Sequence, residues 1–368
     1  MNYSFIANAA FGLEGIVRRE LNGLGYEVQT ENGFVRFSGS LEDAFKANLW
    51  LRTADRVMIL AAEGDVKSFE DLFRLVRGFP WQVILPRDAS FPVSCKCVRS
   101  QLMSPSDCQA IAKKALAEEM MAYYHMTWCT ESGPSFPIQI SIHQNKARVM
   151  IDTTGEALNK RGYRTWKGEA PLRETLAAGM VALSGWRTET PLHDPCCGTG
   201  TILIESAFQA ANRAPGLNRS FLLESWQRAD RKLLERYRNE AKAACCMDKL
   251  PSITGTDIDP QAIELCRRHI RQAGLDKYIH VEVADLSTLQ LPCEKVQFIT
   301  NPPYGERLSD QKQCFALYKC MRGLIDRHPG SHLAVLCGNP SFERAFGRKS
   351  IKKRRFYNGR LECDYMLF

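Results

Sequence analysis

Residues 194–201 of this chain read Asp194-Pro195-Cys196-Cys197-Gly198-Thr199-Gly200-Thr201. A strand is predicted to end at Asp194, and a helix is predicted to begin near Thr201. Gly198 and Gly200 let the backbone turn sharply and approach a ligand closely. Ligands of open α/β sheets bind at the carboxyl ends of strands, where this turn lies. Dinucleotide sites share a strand and a glycine turn, but this pattern is not Gly-x-Gly-x-x-Gly, and no Lys-Ser/Thr follows to make a phosphate loop.

The chain around this turn, from about residue 161 onward, alternates apolar strands with helices, which is typical of a doubly wound parallel sheet. Strands are predicted at residues 191–194, 252–257, 280–283, 296–300 and 332–337. The clearest helix is predicted at residues 260–273, with Asp259 as its N-cap and Pro260 in its first turn. Asn358-Gly359 predicts a closing hairpin. We therefore expect a mostly parallel sheet with a terminal antiparallel strand.

The N-terminal half, by contrast, combines short strands, helices and hairpins. Asn32-Gly33 and Gln144-Asn145 mark two predicted turns, and Ser68 is a predicted helix cap. This half contains no glycine-rich phosphate loop and no group of residues with a catalytic pattern. We interpret it as an α+β region that binds rather than catalyses.

The composition is that of an ordinary globular protein. Of 368 residues, 45% are hydrophobic and 24% are charged, so cores of normal size can form. No apolar run approaches the roughly 20 residues of a membrane span, and no secretory leader is recognised at the N-terminus. A cytoplasmic protein is expected.

The 14 cysteines are expected to be reduced thiols, because nothing in the sequence indicates a secreted protein. Close pairs occur at Cys95 and Cys97, Cys196 and Cys197, and Cys245 and Cys246. These spacings are tighter than the Cys-x-x-Cys of zinc sites, and no His follows at ligand spacing. The sequence therefore predicts no metal site.

The net charge of +8 is unevenly distributed. Between residues 343 and 355, seven basic side chains accompany one acid, and we call this segment the basic stripe. Its members are Arg344, Arg348, Lys349, Lys352, Lys353, Arg354 and Arg355. A basic stripe fits a polyanionic partner. Lysines that protect a strand edge from pairing would give the same pattern.

Acidic residues recur at the ends of the next two predicted strands. Thr256-Asp257-Ile258-Asp259 follows the second strand, and a carboxylate there can accept hydrogen bonds from a ribose diol. Asp259 is explained more simply as a helix cap. Ala284-Asp285-Leu286 follows the third strand, where an acid can meet the exocyclic amine of an adenine. Each acid alone could be a solvated loop residue, but their repetition at successive strand ends favours a nucleoside-binding edge.

Asn301-Pro302-Pro303-Tyr304-Gly305 directly follows the strand predicted at residues 296–300. The prolines fix φ and remove two backbone N–H groups, so carbonyl oxygens remain beside the Asn301 amide. An exocyclic base amine is a poor nucleophile, because its lone pair is delocalised, and two hydrogen-bond acceptors would orient its hydrogens. The Asn301 side-chain oxygen and the Pro302 carbonyl can supply them, while Tyr304 can stack on the base. Positioning would then supply most of the catalysis.

This motif resembles the Asn/Asp-Pro-Pro-Tyr/Phe motif of S-adenosylmethionine-dependent enzymes that methylate amino groups. More closely, the chain resembles bacterial RNA methylases that join a ferredoxin-like region and a THUMP RNA-binding domain to such a catalytic domain. The nearest family is that of the 23S ribosomal RNA guanine-N2 methyltransferases (RlmL type). The matching stretches, which span almost the whole chain, are Phe11-Gly12-Leu13-Glu14, Arg161-Gly162-Tyr163-Arg164, Ala170-Pro171-Leu172, 194–201, 301–307 and Asn358-Gly359-Arg360-Leu361.

The resemblance implies a ferredoxin-like region at residues 1–54, a THUMP domain at 55–155 and a Rossmann-like class I methyltransferase domain at 161–368. It implies S-adenosylmethionine as cofactor and assigns the site residues by motif. Asp194, Cys196, Gly198, Gly200 and Thr201 would line the methionine pocket, Asp257 and Ile258 the ribose, Asp285 and Leu286 the adenine, and Asn301, Pro302, Pro303 and Tyr304 the target base. Cys196 departs from the family, which often has a bulky residue there. No fused second catalytic domain is expected.

The function implied is methylation of guanine N2 in 23S ribosomal RNA, with RNA as partner and no obligate protein partner evident. Two alternatives stay open. Adenine-N6 methylation of RNA or DNA uses the same four-residue motif, and a ribosome-assembly factor could bind RNA without catalysis. A dehydrogenase is excluded, because nothing resembles a hydride-transfer site and the glycine pattern is wrong.

Overall fold

A computed structural model describes residues 1–164, 172–305 and 308–368 of the chain. The predicted motif residues Ala170 and Pro171, and Glu306 and Arg307, lie outside the described residues. No helix in the described ranges has the length and apolar character needed to cross a membrane.

The N-terminal half forms one mixed sheet with helices packed against it. Its elements are β1 (Tyr3–Ala9), α1 (Glu14–Gly23), β2 (Val28–Glu31), β3 (Phe34–Gly39), α2 (Leu41–Trp50), β4 (Ala54–Asp65), α3 (Phe69–Arg77), β5 (Val93–Val98), α4 (Pro105–Tyr124), β6 (Ile138–His143) and β7 (Lys146–Asp152). The strand order is β2-β3-β1-β4-β7-β6-β5. Long β4 pairs antiparallel with β1 on one side and with β7 on the other. β4 therefore joins the two N-terminal regions, expected at residues 1–54 and 55–155, into one sheet.

Local signals explain where several of these elements begin. Ser68 caps α3 in a capping box with Asp71, as its position predicts. Gly33 adopts a φ of +85° in the turn between β2 and β3, a conformation that glycine reaches without strain. The core beneath the sheet is rich in aromatic side chains, among them Phe5, Phe45 and Trp81.

The C-terminal half is a second seven-stranded sheet. Its elements are α5 (Glu174–Leu183), β8 (Leu192–Asp194), α6 (Thr201–Ala210), α7 (Arg231–Ala243), β9 (Ile253–Asp257), α8 (Pro260–Gln272), β10 (Ile279–Val283), β11 (Gln297–Thr300), α9 (Leu308–Arg327), β12 (His332–Cys337), α10 (Phe342–Phe346), β13 (Lys352–Asn358) and β14 (Leu361–Leu367). The order is β10-β9-β8-β11-β12-β14-β13. Neighbours from β10 to β12 are parallel, so the mostly parallel α/β sheet is confirmed.

The end of this sheet differs in one detail from the sequence prediction. β14, the last strand of the chain, runs antiparallel to β12 and lies inside the sheet. The edge is β13, which pairs antiparallel with β14 through the Asn358-Gly359 hairpin. The hairpin is folded as predicted, but its second strand pairs with β12, because buried Tyr365 and Met366 belong to the core.

The two halves share their cores. Leu13 and Ile16, at the start of α1, are buried among side chains of α5 and α6 in the C-terminal core. Conversely, Phe221, Trp226 and Leu234, from the connection between β8 and β9, are buried in the N-terminal core. This connection contains α7, whose sequence is rich in charged residues. The hydrophobic core of each half therefore contains side chains from the other half.

Candidate functional site

The glycine turn after β8 is tightly packed. Gly200 has a φ of +82° and precedes α6 as its N-cap. A Cβ atom at Gly200 would lie 2.5 Å from Cys266 Sγ of α8, so neither the backbone angle nor the space accepts a larger residue. Gly198, with a φ of +50°, faces open space. The turn is therefore closed on the side of α8 and open at Gly198.

Asp194 ends β8 and is 1% exposed. The Cys196 backbone N–H donates to its Oδ1 at 3.1 Å, whereas its Oδ2 is buried without a hydrogen-bond partner. Burial, together with the nearby Asp257 carboxylate, raises the pKa of Asp194 to about 7, against the lowering effect of the Thr300 hydroxyl and the Cys196 N–H. An unpartnered buried acceptor is costly, and a cationic amino group would satisfy it. This is the feature of the site that best fits the amino-acid end of S-adenosylmethionine.

Asp257 joins the end of β9 to the glycine turn. Its Oδ2 accepts from the Gly198 backbone N–H at 2.9 Å, and its Oδ1 accepts from the Asp259 backbone N–H at 3.0 Å. Asp259 caps α8, as predicted. Ile258, between the two acids, is 69% exposed. An exposed apolar side chain beside a strand-end carboxylate fits a nucleoside, which offers an apolar base face and a polar ribose.

Of the two predicted site residues after β10, one is exposed to solvent and the other is buried in the core. Asp285 is exposed, and its Oδ1 accepts from the Ser287 backbone N–H at 2.8 Å. This hydrogen bond lowers the pKa of Asp285. Leu286 is buried in a core cluster with Phe298 and Tyr318, so its side chain packs inside the protein. Asp285 is therefore free to meet a ligand, while Leu286 has a packing role.

The Asn301–Tyr304 motif lies directly after β11, the neighbour of β8. The Tyr304 hydroxyl donates to Asn301 Oδ1, so the predicted amine acceptor already holds a hydrogen bond. The Pro303 carbonyl accepts from the Tyr318 hydroxyl of α9 at 2.7 Å. Pro302 is buried and Pro303 is exposed. The motif is thus anchored to α9, and the Asn301 oxygen keeps a second lone pair for another donor.

The strand order brings the predicted residues to one edge of the sheet. Parallel β10, β9, β8 and β11 end next to one another, so Asp285, Asp257, Asp194 and Asn301 follow in that order along the edge. Cys196 and Thr201 flank the glycine turn. Burial and the nearby carboxylates raise the pKa of the Cys196 thiol, which keeps it protonated and neutral. The edge offers carboxylates at one end and an amide at the other.

Two further residues support the site, and the sequence motifs alone assign neither of them a role. The Arg164 guanidinium donates to Thr201 Oγ1 at the start of α6 and pairs with Glu174 of α5 at 3.3 Å. Asn339 Nδ2, after β12, donates to the Tyr304 carbonyl at 3.0 Å. Asn339 follows a strand in the same way as Asn301, and that repetition was the available signal. Arg164 gave no signal beyond the family motif.

Family models match three consecutive parts of the chain. The RMKL-like methyltransferase domain matches residues 161–366, the RlmL ferredoxin-like domain matches 4–58, and the THUMP domain matches 66–152. The first model alone covers more than half of the chain. These are the three kinds of region that the sequence motifs predict.

Relatives cover nearly the whole chain. YpsC of Bacillus subtilis (strain 168), whose name assigns it provisionally to the RNA methyltransferases, is 37% identical over 99% of this chain and 95% of its own length. Ribosomal RNA large subunit methyltransferase K/L of Desulfotalea psychrophila is 34% identical over 98% of this chain, which spans only 52% of that protein.

Solved structures agree with these relatives. SMU.472, provisionally called a methyltransferase and complexed with SAH, superposes with a TM-score of 0.95 at 40% identity, over 100% of this chain and 98% of its own. A Listeria monocytogenes protein, described as a predicted N6-adenine-specific DNA methylase, superposes with a TM-score of 0.95 at 39% identity. The match covers 100% of this chain and 96% of the Listeria chain. SAH is the product that remains when S-adenosylmethionine gives up its methyl group. The chain therefore belongs to the family of the RMKL-like methyltransferase domain and is an S-adenosylmethionine-dependent methyltransferase.

Proposed function

We propose that this enzyme methylates the exocyclic N2 of a guanine in 23S ribosomal RNA. The observation that carries the proposal is the Asn301-Pro302-Pro303-Tyr304 motif at the carboxyl end of β11, beside the glycine turn of β8. K/L relatives named for the large ribosomal subunit RNA match 98–100% of this chain, which supports the choice of RNA. The chain spans about half of the length of these relatives, so the assignment of ribosomal RNA as its substrate is a proposal.

The methyl donor is held by residues of β8, β9 and β10. Asp194 Oδ2 takes the amino group, while Gly198, Gly200, Cys196 and Thr201 shape the methionine pocket. Asp257 takes the ribose beside Ile258, and Asp285 takes the adenine amine, with Leu286 packing behind it. S-adenosylmethionine supplies an activated methyl group when bound. Each assignment follows from the position of the residue at the sheet edge.

The target amine is oriented by the motif of β11. Asn301 Oδ1 and the Pro302 carbonyl accept its two hydrogens and turn the nitrogen lone pair toward the methyl donor. Because an amide oxygen has two lone pairs, Asn301 Oδ1 can accept from the incoming amine beside the Tyr304 hydroxyl. The Tyr304 ring, next to this acceptor, can stack on the base. No strong base is required, because the methylated nitrogen becomes cationic and releases its proton to solvent after the transfer; positioning supplies most of the rate.

RNA binding is assigned to residues 1–54 and 55–155, the ferredoxin-like and THUMP regions, together with part of the basic stripe. Lys353 contacts Glu343 at 2.7 Å and Asp364 at 3.3 Å, and Arg355 contacts Glu362 at 2.9 Å. These two cations stabilise the β13–β14 hairpin. Arg348, Lys349, Lys352 and Arg354 are the better candidates for phosphate contacts.

A second candidate function is methylation of adenine N6. The observation that favours it is the Listeria monocytogenes structure described as a predicted N6-adenine-specific DNA methylase, which superposes along the whole chain. Adenine N6 and guanine N2 are both exocyclic amines, so the four-residue motif accepts either. The match to the THUMP model favours RNA over DNA for this chain.

The test uses the full-length enzyme, since each half completes the other half's core. Purified enzyme is incubated with labelled S-adenosylmethionine and unmodified ribosomal RNA, and the digested nucleosides are separated. Label in N2-methylguanosine is expected. Label in N6-methyladenosine alone would replace guanine by adenine, and no label in any nucleoside would contradict ribosomal RNA as the substrate.

An Asn301→Ala variant tests the mechanism in the same assay. Loss of one preorganised hydrogen-bonding group is expected to lower the methylation rate by about 10²–10³-fold, with cofactor affinity unchanged. Asn22→Ala, in an exposed position of α1, is the matched control and should behave like the parent. Methylation by Asn301→Ala within a few-fold of the parent would contradict the mechanism.

A further inference from the structure

Three cysteines of the N-terminal half meet where β5 packs on α4. Cys95 Sγ and Cys97 Sγ are 3.8 Å apart, and Cys97 Sγ is 3.8 Å from Cys108 Sγ. All three sulfurs lie within 4.8 Å of one another. Within the part of the chain that the structure describes, this is the one group of three side chains with such metal-ligand geometry. We call it the thiol cluster.

The fold brings the thiol cluster together from distant positions in the sequence. Cys95 and Cys97 are two residues apart on a strand, so both side chains point to the face that α4 covers. Ser104 caps α4, which puts Cys108 at the end of the first helical turn, directed at β5. Cys108 lies 11 residues after Cys97, so the close cysteine spacing in the sequence gives no indication that it joins this pair.

The spacing suits a metal ion that binds sulfur. Four ligands in a tetrahedron, at the zinc–sulfur distance of about 2.3 Å, place neighbouring sulfurs about 3.8 Å apart. We propose that Cys95, Cys97 and Cys108 bind a thiophilic d¹⁰ metal ion, Zn²⁺ or Cu⁺, through three thiolate sulfurs. Soft thiolate ligands select these two ions among those common in cells.

One member of the thiol cluster is open to a surface cavity. Cys97 lines a cavity of about 490 Å³, which opens beside the loop that follows β5. Met103, in this loop, lines the same cavity and is 80% exposed. A thioether at the mouth of a thiol site can complete four-coordination by a soft cation, and a water molecule can do the same for Zn²⁺.

Binding would have a structural consequence for the N-terminal sheet. β5 is the edge strand and pairs with β6 on one side only. An ion held by Cys95, Cys97 and Cys108 would fix this edge strand to α4. The effect is separate from methyl transfer, because the thiol cluster is on the N-terminal sheet and the site edge is on the other. The proposal can therefore be tested without an activity assay.

The experiment uses full-length protein, stripped of metal and reduced under anaerobic conditions. Co²⁺, as a spectroscopic substitute for Zn²⁺, and Cu⁺, delivered from a chromophoric chelator, are titrated separately. One equivalent of either ion is expected to bind, with a sulfur-to-cobalt charge-transfer band in the Co²⁺ arm. Cys97→Ser and Cys108→Ser should lose this binding, and Cys246→Ser, at an exposed cysteine outside the cluster, should retain it.

Alkylation of the parent protein gives a readout that does not depend on variants folding. The metal should protect Cys95 and Cys97, the partly exposed members of the cluster, from alkylation, as measured by mass spectrometry of the peptides, and should leave Cys246 reactive. The proposal is overturned if no charge-transfer band or Cu⁺ uptake appears at one equivalent, or if binding survives in Cys97→Ser. Equal alkylation of the cluster with and without metal would also overturn it and would leave the three thiols as core packing.

Discussion

The Asp194→Asn variant tests the electrostatics of the cofactor pocket. Burial raises the pKa of Asp194 from 3.8 to about 7 in the folded protein. Between these values the folded state holds a proton that the unfolded state has released, so the unfolding free energy of the parent falls as pH rises toward 7 and then levels off. The full difference is about 4 kcal/mol, of which about 2–3 kcal/mol is lost between pH 5 and pH 8.

Asparagine keeps an oxygen for the Cys196 N–H and carries no charge, so the variant lacks this pH dependence. We expect Asp194→Asn to gain about 2–3 kcal/mol over the parent when the pH rises from 5 to 8. Urea unfolding of the cofactor-free proteins at several pH values measures this gain. Asp276→Asn, at an exposed acid after α8, is the control and should follow the parent.

Cofactor affinity should change in the opposite direction. If the ionised Asp194 pairs with the amino group of the cofactor, S-adenosylhomocysteine should bind the parent about 30-fold more tightly at pH 8 than at pH 5.5. The Asp194→Asn variant should bind it weakly and without this pH dependence, as measured by calorimetric titration. Parallel unfolding profiles for parent and variant, or equal affinities, would refute the reasoning.

Four further predictions follow from the same contacts. Asp257→Ala should weaken S-adenosylhomocysteine binding strongly in calorimetry, and an unchanged affinity would remove the ribose assignment. Tyr304→Phe, which removes the hydroxyl bond to Asn301 Oδ1, should methylate RNA within about tenfold of the parent rate, since such a bond contributes only about 1 kcal/mol. Tyr304→Ala, which also removes the ring, should lower the methylation rate much more. Equal rate losses in the two variants would contradict a stacking role. Gly200→Ala should lower the unfolding free energy by about 2–5 kcal/mol through its positive φ and the Cys266 contact, and Gly274→Ala, at a positive-φ glycine without close neighbours, should cost less. Arg348→Gln with Lys349→Gln should reduce the salt dependence of RNA binding, by about one unit of slope per lost phosphate contact, and Arg355→Gln is the control for a hairpin cation.

Local signals in the sequence were sufficient for much of the C-terminal fold. Asp259 and Pro260 predict the start of α8 correctly because a cap and a first-turn proline act within a few residues. The strand-end acids could be expected at one edge because parallel strands end on the same side, but their order along it follows from the strand order of the structure. Other contacts of the site depend instead on tertiary packing. Nothing local indicates that the Tyr318 hydroxyl bonds to the Pro303 carbonyl or that Asp194 Oδ2 is left without a partner.

Long-range pairing explains the remaining differences. β4 extends over Ala54–Asp65 because it has partners on both sides, β1 and β7, that lie far away in the sequence. Cys108 joins Cys95 and Cys97 only when α4 packs on β5. The family motif at Arg161 to Arg164 gives no physical reason for its residues until the structure brings Arg164 to Thr201 and Glu174.

The exchanged core residues oppose rotation of one half against the other, because such a rotation would expose buried side chains such as Leu13 or Trp226. They would thereby hold the distance between the outer edge of the N-terminal sheet and Asn301 nearly fixed. An RNA gripped by the N-terminal half would present to Asn301 whichever nucleotide lies at that fixed reach. Selection of the target would then operate as a measurement of length, and the motif would need to read little more than the presence of an exocyclic amine.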